Sequence, residues 1–421
     1  MNDTLTLRDA RLLSRILAFA MHRQTFSRSE LAEELDLSRS AVDLKLEYLF
    51  KNKLLTQGKL LNSTGGRAPR EIRFNQNSGY VLVIEMGATE GLIGIADLSG
   101  NVLESSNINI DIGDGPEIVL GEMDKLIKKT IASRVKKLWG IAIGLPGPVE
   151  YASGMLISPP IMPGWDRFPV REYFENKYGV PVWVDNEVNL MALGESRAGA
   201  GRESHSIVYV KIGTGIGSGL VYKGQLLHGV SGSAGDIGHL KVDSQSKTLC
   251  RCGKRGCLEA LAGGPAILSE ALKFANNNES KYLADVLESK KEINIETLTQ
   301  AILAGDSKSI KIAKDAGRLI GSAIAQILFL FNPSKIIIGG RVSSIGDELL
   351  SAIRRTVYEE ASALSTRNLS IEISNIAHEV GLKGAGYLVV EELIKPERLL
   401  NWINSGSPNG KPRLSIVRTE F

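Results

Sequence analysis

The sequence predicts a mostly helical N-terminal module followed by an α/β body of two lobes. Three observations carry this. Helical apolar spacing, broken by short polar turns, fills the first 74 residues. Two strand, glycine turn, strand segments recur at residues 80–97 and 206–222. All three cysteines lie with a histidine in one glycine-bounded stretch. The expected boundaries are 1–74 for the first module, 79–200 and 201–394 for the two lobes, and 395–421 for a C-terminal tail.

A chain of 421 residues, 43% hydrophobic and 23% charged, fits a soluble globular protein of two or three domains. The apolar run Leu319 to Phe331 contains Ser322 and Gln326 and is too short to span a bilayer. Met1-Asn-Asp-Thr does not begin a secretory leader, so a cytoplasmic protein is expected. Charge is unevenly placed. Residues 1–78 hold 13 Lys+Arg against 9 Asp+Glu, a balance of +4, and the remainder is near neutral at −1. A modestly basic module at one end suits a polyanion.

In that module, Leu12, Leu13, Ile16, Leu17 and Ala20 have the spacing of a buried helical face. Ser27-Arg-Ser-Glu30 is a capping box that starts a second helix with Leu31, Ala32 and Leu35 inward. Asp36-Leu37-Ser38 makes the turn, and Ser38 caps a third helix with Val42, Leu46 and Leu49 inward. Residues 53–58 and 59–62 read as a short hairpin, and Gly65-Gly-Arg-Ala-Pro-Arg70 reads as a basic link. The pattern is a winged helix-turn-helix. It would lay the third helix in a major groove with Ser38, Arg39 and Ser40 at base edges and Lys45 one turn on. Arg67, Arg70 and Arg73 are placed to reach phosphate or a minor groove. Asp43 either accepts from a cytosine amino group or faces solvent. A protein-binding trihelical module is the competing reading.

In the body, Tyr80 to Asp97 turns at Gly87, and Ser206 to Tyr222 turns at Gly213-Thr-Gly-Ile-Gly217. Such turns expose backbone N–H groups where a phosphate could approach. A third glycine pair, Gly339-Gly340, ends a buried strand. One such turn would be only a hairpin needing positive φ. Three alternating with helices favour a lobed scaffold around a nucleotide. Between the hairpins, Asp185-Asn186-Glu187-Val-Asn189 closes a strand and opens a helix. Its acids and amides could hold sugar hydroxyls, with one carboxylate as a base. Asp185 or Asn186 could equally be a helix cap. His239, Cys250, Cys252 and Cys257 make a Cys₃His set suited to structural zinc.

Taken together, Gly144-Leu-Pro-Gly-Pro-Val149, Pro163-Gly164-Trp165, the Asp-Asn-Glu-Val-Asn run, Gly213–Gly217, Gly-Asp-Ile-Gly-His239 and Cys-x-Cys-Gly-x-x-Gly-Cys-x-Glu259 resemble the ROK family (repressors, open reading frames and sugar kinases). The likeness runs from about residue 8 to 390 and is strongest to the repressor branch. It implies an actin-like ATPase (ribonuclease H-like) body and zinc on the four residues above. It also implies sugar contacts from Asn186, Glu187, Asp236, His239 and Glu259, with Glu187 as catalytic base only if kinase activity remains. His239 would bind metal through one nitrogen and face the sugar with the other.

Departures from the kinase pattern bear on function. The first turn reads Glu85-Met-Gly87-Ala88-Thr89-Glu90, with an anion where the family has lysine. The base is Glu187 rather than Asp, Asp236 shortens a sugar-binding Glu, and Arg341 replaces a glycine. These changes imply that Gly87, Thr89, Gly213, Thr214, Gly215, Gly339 and Gly340 form a vestigial nucleotide site while the sugar cleft persists. The resulting expectation is a repressor, homodimeric on a palindromic operator of double-stranded DNA and released by a free sugar. An active hexose kinase with an appended DNA-binding domain is the alternative. The tail is either disordered or a strap on the body.

Overall fold

The structure, a computed structural model, describes residues 5–23, 25–60, 70–131, 136–376 and 378–415. In the head, α1 (Leu7–His22) begins at Thr6, whose capping box with Asp9 satisfies two N-terminal donors. Ser27 and Glu30 form the expected box at the start of α2 (Arg28–Leu35), and Ser38 accepts from the Ala41 N–H at the start of α3 (Arg39–Lys51). Each cap stabilises its helix by about 1 kcal/mol. Asp36 adopts φ 53° to turn the chain between α2 and α3. Leu13, Ile16, Leu17, Leu31, Val42, Leu46 and Leu49 are all buried, as their spacing predicts.

The wing differs from its prediction. Strand β1 (Leu55–Leu60) runs on through Lys59 and Leu60, which the prediction gave to a returning strand, and pairs antiparallel with β2 (Arg70–Phe74), Leu55 opposite Phe74. Ile72 decides this: it is fully buried in the head core and also bridges Phe26. Residues 61–69, which hold all of the expected basic link except Arg70, lie outside the described residues.

The first lobe opens with the meander β3 (Tyr80–Met86), β4 (Gly91–Asp97) and β5 (Val102–Ile108). Helix α4 (Pro116–Ile131) leads to β6 (Leu138–Leu145), a short hairpin β7 (Val149–Glu150) and β8 (Met155–Leu156), then α5 (Val170–Tyr178) and β9 (Val182–Asn186). The sheet order is β5-β4-β3-β6-β9, with β3, β6 and β9 parallel. Helix α6 (Glu187–Ala198) crosses to the second lobe, which repeats the plan. Its meander is β10 (Ser206–Ile212), β11 (Ile216–Tyr222) and β12 (Gln225–Leu226). After the cysteine segment come α7 (Leu258–Ala262), α8 (Gly264–Asn276), α9 (Lys281–Glu288), α10 (Ile295–Leu303) and the long α11 (Ser307–Leu330). Strand β13 (Lys335–Gly339), α12 (Asp347–Glu360), α13 (Ala363–Thr366) and β14 (Ser370–Ile373) complete it, in sheet order β12-β11-β10-β13-β14. The two orders are the same pattern, so the weak internal repeat marks a duplicated topology.

The end of the chain goes back to the first lobe. Helix α14 (Val380–Leu393), which the sequence boundaries assign to the second lobe, packs on α6 and on β3, β4 and β6. Leu382, Ala385 and Val389 join Val81, Val83, Ala142 and Leu190 in one core, because the first sheet's open face is apolar and needs a cover. Helix α15 (Pro396–Trp402) then packs on α1 of the head. Trp402 is fully buried, sets its ring edge on Trp139 at 5.0 Å and donates from its indole N–H to Leu393 O at 2.8 Å. Tyr48 of α3 bonds Asn404. Residues 395–415 are thus a strap, and the apolar cores of head and first lobe are continuous through it. No helix among the described residues is long and apolar enough to cross a membrane.

Candidate sugar cleft and metal knot

A cavity of about 860 Å³ lies between the lobes. Asn186, Glu187, Asp236, His239 and Glu259 all line it, as do Gly87, Thr89, Gly213, Thr214 and Gly215. Gly339 and Gly340 do not. Gly340 has φ 85°, and a Cβ there would lie 2.5 Å from Ile212 O, so this glycine serves the packing of β13 against β10.

The polar turn at the start of α6 divides its labour. Asn186 caps the helix, accepting from the Val188 N–H at 2.8 Å, and its amide donates to Gly147 O at 2.8 Å. Its side chain is therefore occupied, as the cap reading allowed. Asp185 is buried and points away to Asn189 and His228. Glu187 is buried at the cavity wall with one oxygen 2.6 Å from Lys211 Nζ. Its other oxygen is buried and has no hydrogen-bond partner among the described residues. A buried carboxylate oxygen without a donor is costly, so it marks a place for a ligand hydroxyl. Lys211 was missed in the sequence, where it reads as one more residue of an apolar strand. Nearby, burial pushes the Glu85 carboxyl up to about 7; Lys211 opposes this and Glu187 adds to it.

On the opposite wall, Glu259 Oε2 accepts from the Ile216 N–H at 3.2 Å and Oε1 from Arg251 at 3.1 Å. This carboxylate ties the glycine turn to the cysteine segment. Asp236 begins a 3₁₀ turn (Ile237–His239) and is exposed at the cavity wall. The ligand atoms of His239, Cys250, Cys252 and Cys257 all lie within 4.8 Å of one another, with Cys250 Sγ 3.6 Å from His239 Nδ1 and Cys252 Sγ 3.8 Å from Cys257 Sγ. Burial, reinforced by the neighbouring thiols, pushes the Cys257 thiol up to about 12. These four residues form a set that could hold a metal ion. Across the mouth, Arg341 of the second lobe pairs with Glu90 of the first, so two separate departures from the kinase pattern meet in one ion pair.

In the head, Ser38, Arg39 and Ser40 stand exposed at the start of α3, and Arg70 is exposed at the start of β2. Lys45 is not free on the outer face. Its ammonium sits 2.5 Å from Asp9 and ties α3 to α1, and this bond holds the Asp9 carboxyl well below the usual range. Asp43 pairs with Arg28 at 2.8 Å, and Arg73 with Glu71 at 2.9 Å. Leu44, 64% exposed on α3, is an apolar group the sequence reading did not single out. Arg67 lies outside the described residues.

Residues 81–392 match the ROK family. A xylose repressor of Caldicellulosiruptor bescii is 28% identical over 397 residues, covering 93% of this chain and 98% of the repressor. A crystal structure of a ROK family transcriptional regulator, a homologue of the E. coli MLC protein, superposes with TM-score 0.81 at 25% identity, covering 95% of this chain and 100% of that one. The ROK glucokinase of Streptomyces griseus, solved with glucose and AMPPNP, superposes with TM-score 0.65 at 27% identity, covering 74% of this chain and 99% of that one.

Proposed function

The chain belongs to the ROK family, and we propose that it is a sugar-responsive transcriptional repressor. In this reading a homodimer grips a palindromic operator through its winged heads and releases it when a free sugar enters the cleft. The observation that carries the reading is Glu187, a carboxylate with one oxygen locked to Lys211 and the other awaiting a donor. Such a group can bind a hydroxyl. The length shared with a regulator and a xylose repressor, head included, supports the same reading.

Zinc is the metal that fits the knot. A tetrahedral ion with Zn–S bonds of about 2.3 Å separates its sulfurs by about 3.8 Å, as Cys252 and Cys257 are. His239 would bind it through Nδ1, leaving Nε2 for the cleft. The ion would supply no chemistry beyond fixing the loop that bears His239 and Glu259. In the head, Ser38, Arg39 and Ser40 would meet base edges, and Arg70 the backbone.

A second reading, an active hexose kinase, is favoured by the intact Gly213–Gly217 turn. The Arg341–Glu90 pair at the mouth, an acid where the kinase pattern has a lysine, opposes it.

The test uses the full chain, an operator selected from a random duplex pool, and D-xylose, D-glucose and N-acetylglucosamine as probes. One sugar is expected to bind by calorimetry and to weaken the operator gel shift. Glu187→Gln should weaken that sugar by about 10- to 100-fold, since a hydrogen bond to a charged group is worth roughly 1.5–3 kcal/mol. An operator shift indifferent to a sugar that binds would overturn the repressor reading. ATP-dependent phosphorylation of a hexose, abolished by Glu187→Gln, would establish the kinase.

A further inference from the structure

Beside the cleft runs a line of buried and half-buried polar groups that do not line the cavity. It starts at Asp185, next in sequence to Asn186 and Glu187 and only 1% exposed. One Asp185 oxygen accepts from the Asn186 N–H at 2.7 Å and from the Asn189 amide at 2.8 Å. The other lies 2.7 Å from His228 Nε2. His228 belongs to the second lobe, on the loop that continues through Gly232–Asp236 along the cavity wall. Its ring stacks on Tyr151 of the first lobe, 4.0 Å between centroids and 17° between planes. One imidazole of the second lobe is thus clamped by two groups of the first. Burial opposes its protonation, but the Asp185 charge and hydrogen bond outweigh burial and hold its pKa above the ordinary value.

From Tyr151 the line continues to the strap. The phenol oxygen is buried with no hydrogen-bond partner among the described residues. The ring packs on the apolar core that holds Leu388 and Leu393 of α14 and Leu399 and Trp402 of α15. After burial the Glu392 charge does most to push the phenol well above its usual range. Glu392, near the end of α14, holds Lys395 at 2.6 Å and Arg398 at 2.6 Å. Arg398 lies on α15 and donates from Nε to Leu414 O at 2.7 Å. Helix α15 is the element on which α1 of the head rests. Five side chains therefore connect a loop of the cleft to the support of the head: His228, Asp185, Tyr151, Glu392 and Arg398. Buried charges of this kind add little net stability over apolar replacements. What such a line can supply is a defined arrangement that shifts as a unit.

We propose that His228 is a positioning residue that couples the cleft to the DNA-binding head. When the 228–236 loop closes on a sugar, His228 moves against Asp185 and Tyr151, and the displacement reaches the strap through Glu392 and Arg398. The two states are His228 docked and His228 shifted, and sugar favours one of them. The inference rests on the repressor reading and specifies its regulation.

The test compares wild type, His228→Ala, Arg398→Met and the double variant. The readout is the ratio of operator Kd with and without whichever of D-xylose, D-glucose or N-acetylglucosamine the wild type binds. A coupling of roughly 5- to 150-fold is expected for wild type. Each single variant should fall below about 2-fold, and the double variant no further, because both cut one line. Sugar Kd by calorimetry should stay within about 3-fold of wild type, since none of the five side chains lines the cavity. Both variants should fold. His228→Ala leaves Asp185 its two other donors, and Arg398→Met leaves Glu392 paired to Lys395. If either melts, His228→Phe keeps a ring on Tyr151, removes only the bond to Asp185 and should lower the ratio in the same way. Folded, sugar-binding variants with the wild-type ratio overturn the inference and leave the repressor reading standing. Variants that lose the ratio only by losing the sugar also overturn it. A wild type with a ratio of 1 removes the repressor reading itself.

Discussion

Glu85 and Lys211 occupy the same place in two copies of one hairpin. Each stands two residues before a turn glycine, Gly87 or Gly213, and each lies beside a glycine of the neighbouring parallel strand, Gly144 or Gly339. Around them the copies share sheet order and strand direction. Yet one copy places an acid there and the other a base, and Glu187 answers to both. Topology here depends on near-continuous apolar strands and on glycines where strands must end. Chemistry depends on one side chain per copy, which can change without disturbing the sheet.

The sharpest way to break this comparison is at the knot, which only the second copy carries. Cys257→Ser should abolish metal binding and cost more than about 4 kcal/mol, because a structural metal contributes folding energy directly. The melting temperature should fall by about 10 °C, and elemental analysis should find one zinc per wild-type chain and none in the variant. A wild-type chain without zinc, and a variant that melts where wild type does, would show that the knot stands without an ion.

A smaller effect should come from the acid of the first copy. Burial raises Glu85 from 4.5 to about 7 in the folded chain. Between these values the folded state binds more proton than the unfolded, so stability declines as pH rises from about 4.5 to 7 and then levels. The loss is roughly 3 kcal/mol at 1.36 kcal/mol per unit. Urea midpoints across that window should flatten in Glu85→Gln. An equally steep decline in the variant would mean that another group titrates there.

The smallest effect belongs to the pair at the mouth. Glu90 and Arg341 are both exposed, so Glu90→Ala should change stability by less than about 1 kcal/mol. Its consequence should appear in nucleotide binding instead. A Glu90→Lys, Arg341→Gly double variant should gain ATP affinity by calorimetry over wild type, and no gain would remove the pair as the cause of weakened nucleotide binding.

Much of this arrangement was legible in the residues. The caps at Ser27 and Ser38 and the inward faces of the three helices follow from local hydrogen bonding and periodicity, and local rules suffice for them. The four metal-set residues share one short segment, so their meeting needed little tertiary information. What could not be read depends on contacts between distant segments. Nothing near Lys45 announces Asp9, and nothing near Glu90 announces Arg341. Arg70 reads as the end of a basic link and not as the start of β2, because the burial of Ile72 depends on Phe26 and the helices beneath it. Trp402 sits in a Pro/Gly/Asn-rich context whose order comes from distant partners, among them Trp139, α1 and Tyr48 of α3.

The return of α14 and α15 to the beginning of the molecule constrains how it is made. A ribosome releases the head and the first five-stranded sheet roughly two hundred residues before the helices that cover them. At a synthesis rate of about 5–20 residues per second, that interval lasts tens of seconds. Throughout it, Val81, Val83, Trp139 and Ala142 lack their partners. The nascent N-terminal half is therefore the stage most exposed to aggregation and to chaperone capture, and shortening the C-terminus by the strap would make that stage permanent.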